Sequence, residues 1–377
     1  MTSEITGKAP RLLSLDIFRG FTMAAMILVN DPGDWAHIYP PLEHSVWNGC
    51  TPTDLIFPSF LFMAGVSIVY AMQSKKADTS GHTKLLLHAF RRMVTLIIIS
   101  FLIQLFYHPS LSHLRFPGVL QRIAVVYFIA TALYLKASQK SLDWIFAICL
   151  IGYYIIMAFI PTPDGHPANL EPETNFGAWI DRVVFTTNHL WASSKTWDPE
   201  GLLGVIPSVG TGLFGMRVGT WLKRADRDSN TKAVWLFVYG ILAIVLGMLW
   251  DLFFPINKAL WTSSFVLYAG GISTVGLALA YWFIDVLGHK KMFWPFLVFG
   301  TNSISAYILA DIVPGLINFL KFNHNGKELN GMQYFYETLF ASHFSPVNAS
   351  LFDALAFVLL IWLLMYPLYV KKIIIKV

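Results

Sequence analysis

The sequence is short of charge. Asp, Glu, Lys and Arg make up 13% of its 377 residues, where a soluble domain carries about 25%. That shortage excludes an ordinary water-soluble fold. Cysteine is scarce too. Cys50 lies in a polar segment and Cys149 inside an apolar run. This argues against a disulfide, and neither has the partners of a metal site. No P-loop, Rossmann glycine fingerprint, HExxH zinc motif or GxSxG elbow occurs. The histidines fall mainly in loops rather than in facing pairs, so no metal or redox cofactor is expected. Intramembrane acids and bases are too few for a proton relay. No segment reads as a cleaved signal peptide. Lys8 and Arg11 precede the first apolar run, which is expected to be an uncleaved span.

What the chain has is hydrocarbon. It is 55% hydrophobic with a mean hydropathy of +0.57. Apolar runs near the length of a bilayer span, about 20 residues, recur throughout. The expected fold is an all-α integral membrane protein, one polytopic domain over residues 1–377. Ten spans are expected, at 13–29, 55–72, 87–106, 119–135, 142–160, 202–222, 233–253, 263–286, 293–319 and 352–370. The ninth holds Gly300, Asn302, Asp311 and Pro314 and is expected to be kinked or broken. The sixth holds Gly204, Pro207, Gly210, Gly212, Gly215 and Gly219, and small residues let helices approach closely. It packs either within one bundle or at a homodimer interface.

The net charge of +5 reads as membrane orientation rather than nucleic-acid binding. Lys and Arg number 18 on the loops of one side and 6 on the other, with Arg19, Arg122 and Arg217 inside spans. The positive-inside rule puts the richer side, and both termini, in the cytoplasm. The loops on the opposite side then face outward. Two of these, at about 161–201 and 321–349, are long enough for lids or binding loops.

The polar stretch from Asn30 to Pro58 stands out, because it is wedged between two strongly apolar segments. Polar groups at the edge of hydrocarbon are costly and usually functional. His44 is the candidate base, since an imidazole takes and returns a proton near neutral pH. Asp54, at the start of the second span, is placed to cap a helix and to orient His44. Asn30 ends the first span on the same side, where its amide either caps the helix or stabilises an oxyanion. Asp198 and Glu200 bracket Pro199 at the mouth of the sixth span. They either cap a helix or bind a cationic acceptor. Arg122 and Arg217 either hold a phosphate or carboxylate or pair with a structural acid. Asp16 and Arg19 read as an intrahelical ion pair.

The motifs carry a likeness in their order. They are Arg11-Leu12-Leu13-Ser14-Leu15-Asp16-Ile17-Phe18-Arg19-Gly20, Val29-Asn30, His44-Ser45-Val46-Trp47-Asn48-Gly49 and Thr53-Asp54-Leu55-Ile56-Phe57-Pro58. Further along come Pro117-Gly118-Val119-Leu120-Gln121-Arg122, Asp198-Pro199-Glu200-Gly201, Pro255-Ile256-Asn257-Lys258, Leu260-Trp261-Thr262 and Gly300-Thr301-Asn302-Ser303. With these the chain resembles the heparan-alpha-glucosaminide N-acetyltransferase family, including its bacterial members with a DUF5009-type membrane domain. A looser likeness, in Leu15-Asp16 and Arg19-Gly20, extends to the membrane acyltransferase-3 proteins.

The resemblance implies an enzyme that moves acetyl from cytosolic acetyl-CoA to a glucosamine amine on the far side. It places the active-site histidine on His44, with Asn30 and Asp54 beside it. Arg122, Arg217 and Asn302 are then assigned to the CoA, and Trp47, Asn48, Asp198, Glu200, Lys258 and Trp261 to the acceptor. A bacterial inner membrane is implied, with the His44 loop facing the periplasm. Two departures from the lysosomal members are expected to affect acceptor choice. One is the proline-bearing connection 31–43; the other is the lack of their luminal N-terminal domain and extra first span. Direct transfer and an acetyl-imidazole intermediate both fit. So do two other classes: a sugar or acyl transporter without CoA chemistry, and an O-acetyltransferase for a surface glycan.

Overall fold

A computed structural model describes residues 12–324 and 326–375. Lys8, Arg11 and Lys376, counted in the charge bias, lie outside the described residues. The chain is almost wholly helical. The long helices are α1 (Leu13–Asn30), α2 (Ile56–Met72), α3 (His82–Tyr107), α4 (Val119–Lys136) and α5 (Gln139–Phe159). After the short α6 (Phe176–Phe185) come α7 (Val205–Leu222), α8 (Ser229–Asp251) and α9 (Ser263–Tyr281). A bent pair follows, α10 (Trp294–Thr301) and α11 (Ser303–Asn318). An antiparallel hairpin of β1 (Lys321–His324) and β2 (Lys327–Asn330) and the short α12 (Gly331–Phe335) lead to α13 (Pro346–Val370).

Connections on the basic side are short and capped. Ser138 alone separates the cap of α4 from α5, and its hydroxyl accepts the Ser141 N–H at 3.1 Å. Asp228 accepts the Thr231 N–H at 2.9 Å to start α8. Such caps satisfy backbone donors that the first helical turn leaves open.

Among the described residues, eight helices are long and apolar enough to cross a bilayer, or nine if the bent pair counts as one span. Ten were expected from the sequence, and the difference lies at the sixth. Residues 202–222 do form α7, but glycine dilutes its apolar content. Its glycine faces are buried against α2, α4, α5 and α9 rather than turned to lipid. The ninth expected span is broken at Asn302 by 83°, as its polar and glycine content suggests. The two long loops at 161–201 and 321–349 are folded. One carries α6, capped by Asn175; the other carries the hairpin and α12.

Tight crossings fix the bundle. A Cβ built on Gly215 of α7 would lie 2.0 Å from the Phe62 carbonyl oxygen of α2. One on Gly300 of α10 would lie 1.9 Å from the Asp16 carbonyl oxygen of α1. Backbone thus meets backbone with no side chain between, as in membrane helix pairs generally. The Asp16–Arg19 pair forms as expected at 3.0 Å, and Arg19 also reaches Ser67 Oγ at 2.9 Å.

Gly215→Ala should force α2 and α7 apart, costing on the order of 1–3 kcal/mol or more. The check is the monodisperse yield and melting temperature in detergent. Gly152→Ala is the control, since a Cβ there meets nothing within 4 Å. Equal behaviour of the two variants would refute the packing argument.

Candidate active site

Asp54 organises the N-terminal end of α2. Thr51 caps the single turn Pro52–Leu55, and the Asp54 carboxylate returns to the Thr51 N–H at 2.9 Å, a capping box. The same carboxylate accepts the Ser45 N–H at 3.1 Å and lies 2.7 Å from His44 Nδ1. An ionised carboxylate only accepts, so Nδ1 carries a proton; in the neutral ring the Nε2 lone pair is then the free one. Asp54 is buried, whereas the His44 side chain is 52% exposed. The capping and orienting roles expected of Asp54 are therefore met by one group.

Neighbouring loops hold the histidine loop in place. The Gly49 N–H donates to the Ile256 carbonyl at 2.7 Å, from a φ of +103° that favours glycine. Asn257 Nδ2 donates to Asn48 Oδ1 at 3.2 Å. Trp47 donates its indole N–H to the Leu170 carbonyl at 3.0 Å and sits edge-on to Trp197. Burial and the Asp54 charge push the thiol of Cys50, in this loop, up to about 12, which disfavours its thiolate.

The other expected site residues divide sharply. Asp198 and Glu200 are buried and taken up by Arg115. Its Nε donates to Asp198 Oδ2 at 2.8 Å, and its Nη2 lies 2.5 Å from Asp198 Oδ1 and 2.6 Å from Glu200 Oε2. Burial alone would raise the Glu200 carboxyl, but Arg115, Lys258 and Arg122 outweigh it and hold it below the usual range. Trp261 is fully buried, with its N–H on Thr211 Oγ1 at 3.1 Å. Arg122 is buried over the Trp261 ring and donates to the Gly201 carbonyl at 2.8 Å. It borders a void of about 20 Å³, room for a water and not for a cofactor. Asn302 grips the chain after α13, donating to the Ile373 carbonyl at 2.7 Å and accepting the Ile375 N–H at 2.9 Å. Arg217 presents an exposed guanidinium, 3.3 Å from Asp143. These three residues are not brought to His44.

Asn30 lies elsewhere, at the C-terminal end of α1. It lines a cavity of about 560 Å³ that opens between α1, α3, α11 and the 108–118 loop. Asp31, Gln104, Tyr107, Arg115, Tyr307 and Asp311 share the wall. Among the described residues the Asn30 amide makes no hydrogen bond, to His44 or to any other group. The Pro52–Leu55 turn nonetheless packs against α1, so the dyad and the cavity belong to one end of the bundle. Burial, with the Asp311 and Asp353 charges, pushes Asp31 up to about 8.

The family model for "Heparan-alpha-glucosaminide N-acetyltransferase, catalytic" matches residues 11–248. The chain belongs to the heparan-alpha-glucosaminide N-acetyltransferase family. It is 29% identical to the human heparan-alpha-glucosaminide N-acetyltransferase over 388 residues, covering 87% of this chain and 57% of that protein. It is 30% identical to the mouse protein over 369 residues, covering 82% and 55%. The chain thus spans about half the length of the relatives it matches. Asn30, His44, Asp54, Arg115 and the Asp198–Glu200 pair all fall within the N-acetyltransferase match, whereas Lys258, Tyr307 and Asp311 lie beyond it.

Arg115, Asp31 and Asp311 were not singled out as site residues in the sequence. Two signals were there: Asp311 is an acid inside an apolar span, and Asp31 adjoins Asn30. Arg115 gave none, because its partners stand 83 and 85 residues away.

Arg115→Ala should strand two buried carboxylates and cost roughly 3–5 kcal/mol at neutral pH. Glu200 is held low by its partners, so this stabilisation is present above its unfolded pKa and lost as pH falls through the folded one. Melts of both proteins should therefore converge under acid. A gap that stays constant down to low pH would contradict the ion-pair account.

Proposed function

We propose that this chain is a membrane N-acetyltransferase that moves acetyl from acetyl-CoA to the amine of a glucosamine-type sugar, with His44 on the outward, periplasm-facing side. The observation that carries the proposal is the His44–Asp54 contact at 2.7 Å, with the carboxylate buried and the imidazole exposed. The family membership supports the reaction class.

In this reading the amine nitrogen attacks the thioester carbonyl and His44 Nε2 takes its proton. The C–N bond forms and the C–S bond breaks. The proton passes to the sulfur, so that CoA leaves as the thiol. Asp54 holds the ring in the Nδ1–H tautomer and stabilises the imidazolium that forms. Asn30 supplies an amide donor for the carbonyl oxygen as it gains charge. The donor's phosphates stay on the basic face, where Arg217 is the assigned cation with a surface-exposed guanidinium.

Purified chain in lipid nanodiscs, given acetyl-CoA and glucosamine, should release free CoA and form an amide. His44→Ala should lower that turnover by about 10²-fold or more, and Asp54→Asn should approach it, with melting temperatures recorded for both. Near-normal CoA release by a folded His44→Ala would sink the site assignment. Sugar flux across liposomes without CoA consumption would favour a transporter, and an ester product an O-acetyltransferase.

A further inference from the structure

We propose that the outward cavity is a binding site for a cationic sugar, in which Asp31 and Asp311 anchor the ammonium group. The proposal rests on the acyl-transfer reading only for the class of ligand. It also relocates the acceptor, since the carboxylates first assigned to it, Asp198 and Glu200, are buried under Arg115.

Size comes first. At about 560 Å³ the cavity falls in the range of small-molecule sites, roughly 300–1,000 Å³. Its wall offers aromatic side chains from Tyr107, Tyr307 and Trp191 and polar groups from His108 and His113. Aromatic rings suit the apolar face of a sugar, and the polar groups suit its hydroxyls. A further donor stands behind the wall. Gln121 is 7% exposed, and its Nε2 has no partner. Its Oε1 accepts from the cavity-lining Ser100 at 2.9 Å, and the residue over it is the side-chain-free Gly118, also on the wall.

Charge is the second argument. Arg115 also lines the cavity, but its charge is offset by two carboxylates. Asp31 and Asp311 meet no Lys or Arg in an ion pair among the described residues. Carboxylates at the edge of hydrocarbon are costly without a countercharge. An ammonium group supplies one. The groups facing Asp31 are Asp311 of α11, Asp353 of α13 and Tyr107 of α3, with His108, His113 and Arg115 on the same cavity wall. The empty site holds a proton at neutral pH, since Asp31 is pushed up to about 8. A bound cation displaces that proton.

The test is equilibrium binding without acetyl-CoA, using glucosamine and glucose as probes on the full chain in nanodiscs at neutral pH. Wild type should bind glucosamine at least about tenfold more tightly than glucose, and Asp31→Asn and Asp311→Asn should each lose about that factor for glucosamine alone. Asp31→Glu should restore part of it. Glucosamine binding should release a proton, read as a dependence of the calorimetric heat on the ionisation enthalpy of the buffer. Equal binding of the two sugars by wild type overturns the proposal. So does an unchanged preference in a folded Asp311→Asn, which serves if Asp31→Asn fails to fold. Ammonium-selective binding in a chain that never releases CoA would defeat the transferase reading and leave this one standing. CoA release with no ammonium preference would do the reverse.

Discussion

A single buried carboxylate ties together the end of this bundle at which α2 begins. Asp54 closes the capping box that starts α2, holds the Ser45 N–H and fixes the His44 ring. Without it, a helix terminus loses its cap and the one exposed imidazole in contact with a buried acid loses its orientation. Helix start and candidate base are one hydrogen-bonded unit. A rigid span thereby carries a side chain that would otherwise sit on a mobile loop.

Around this unit, carboxylates are fully buried where they support the fold and partly buried where they meet a cavity. Arg115 with Asp198 and Glu200, and Arg122 with the Gly201 carbonyl, lock the segment that precedes α7 onto the start of α4. Glycine makes this possible. A Cβ on Gly201 would lie 2.0 Å from Asp181 Oδ2, and one on Gly204 would lie 2.8 Å from Arg122 Nη2. The Asp198-Pro199-Glu200-Gly201 motif is thus a hinge clamp. Asp31 and Asp311, by contrast, face an open cavity. In the proposed account this division separates the groups that hold the site from those that meet substrate.

Much of the fold was legible because hydropathy is a local signal. The apolar runs became helices, and Gly300 with Asn302 marked the break in the ninth. The sixth run was harder, because its glycines serve close packing at the expense of hydropathy. The His44–Asp54 contact was legible because both residues stand within one outward loop and its helix start. Long-range partnerships were not. Nothing local marks Arg115 as the partner of Asp198, or Asn302 as the clamp on Ile373 and Ile375. Trp261, assigned to the acceptor by resemblance, is a fully buried core residue, and a motif match does not tell the two roles apart.

The central claim is that acetyl crosses from a donor on the basic face to an acceptor on the face that carries His44. Its most direct test uses sealed proteoliposomes of uniform orientation with acetyl-CoA on one side and glucosamine on the other. The account predicts N-acetylated product when the donor is on the Lys- and Arg-rich side and the acceptor opposite, and none in the reverse arrangement. Product formed only when both substrates share one side would contradict it.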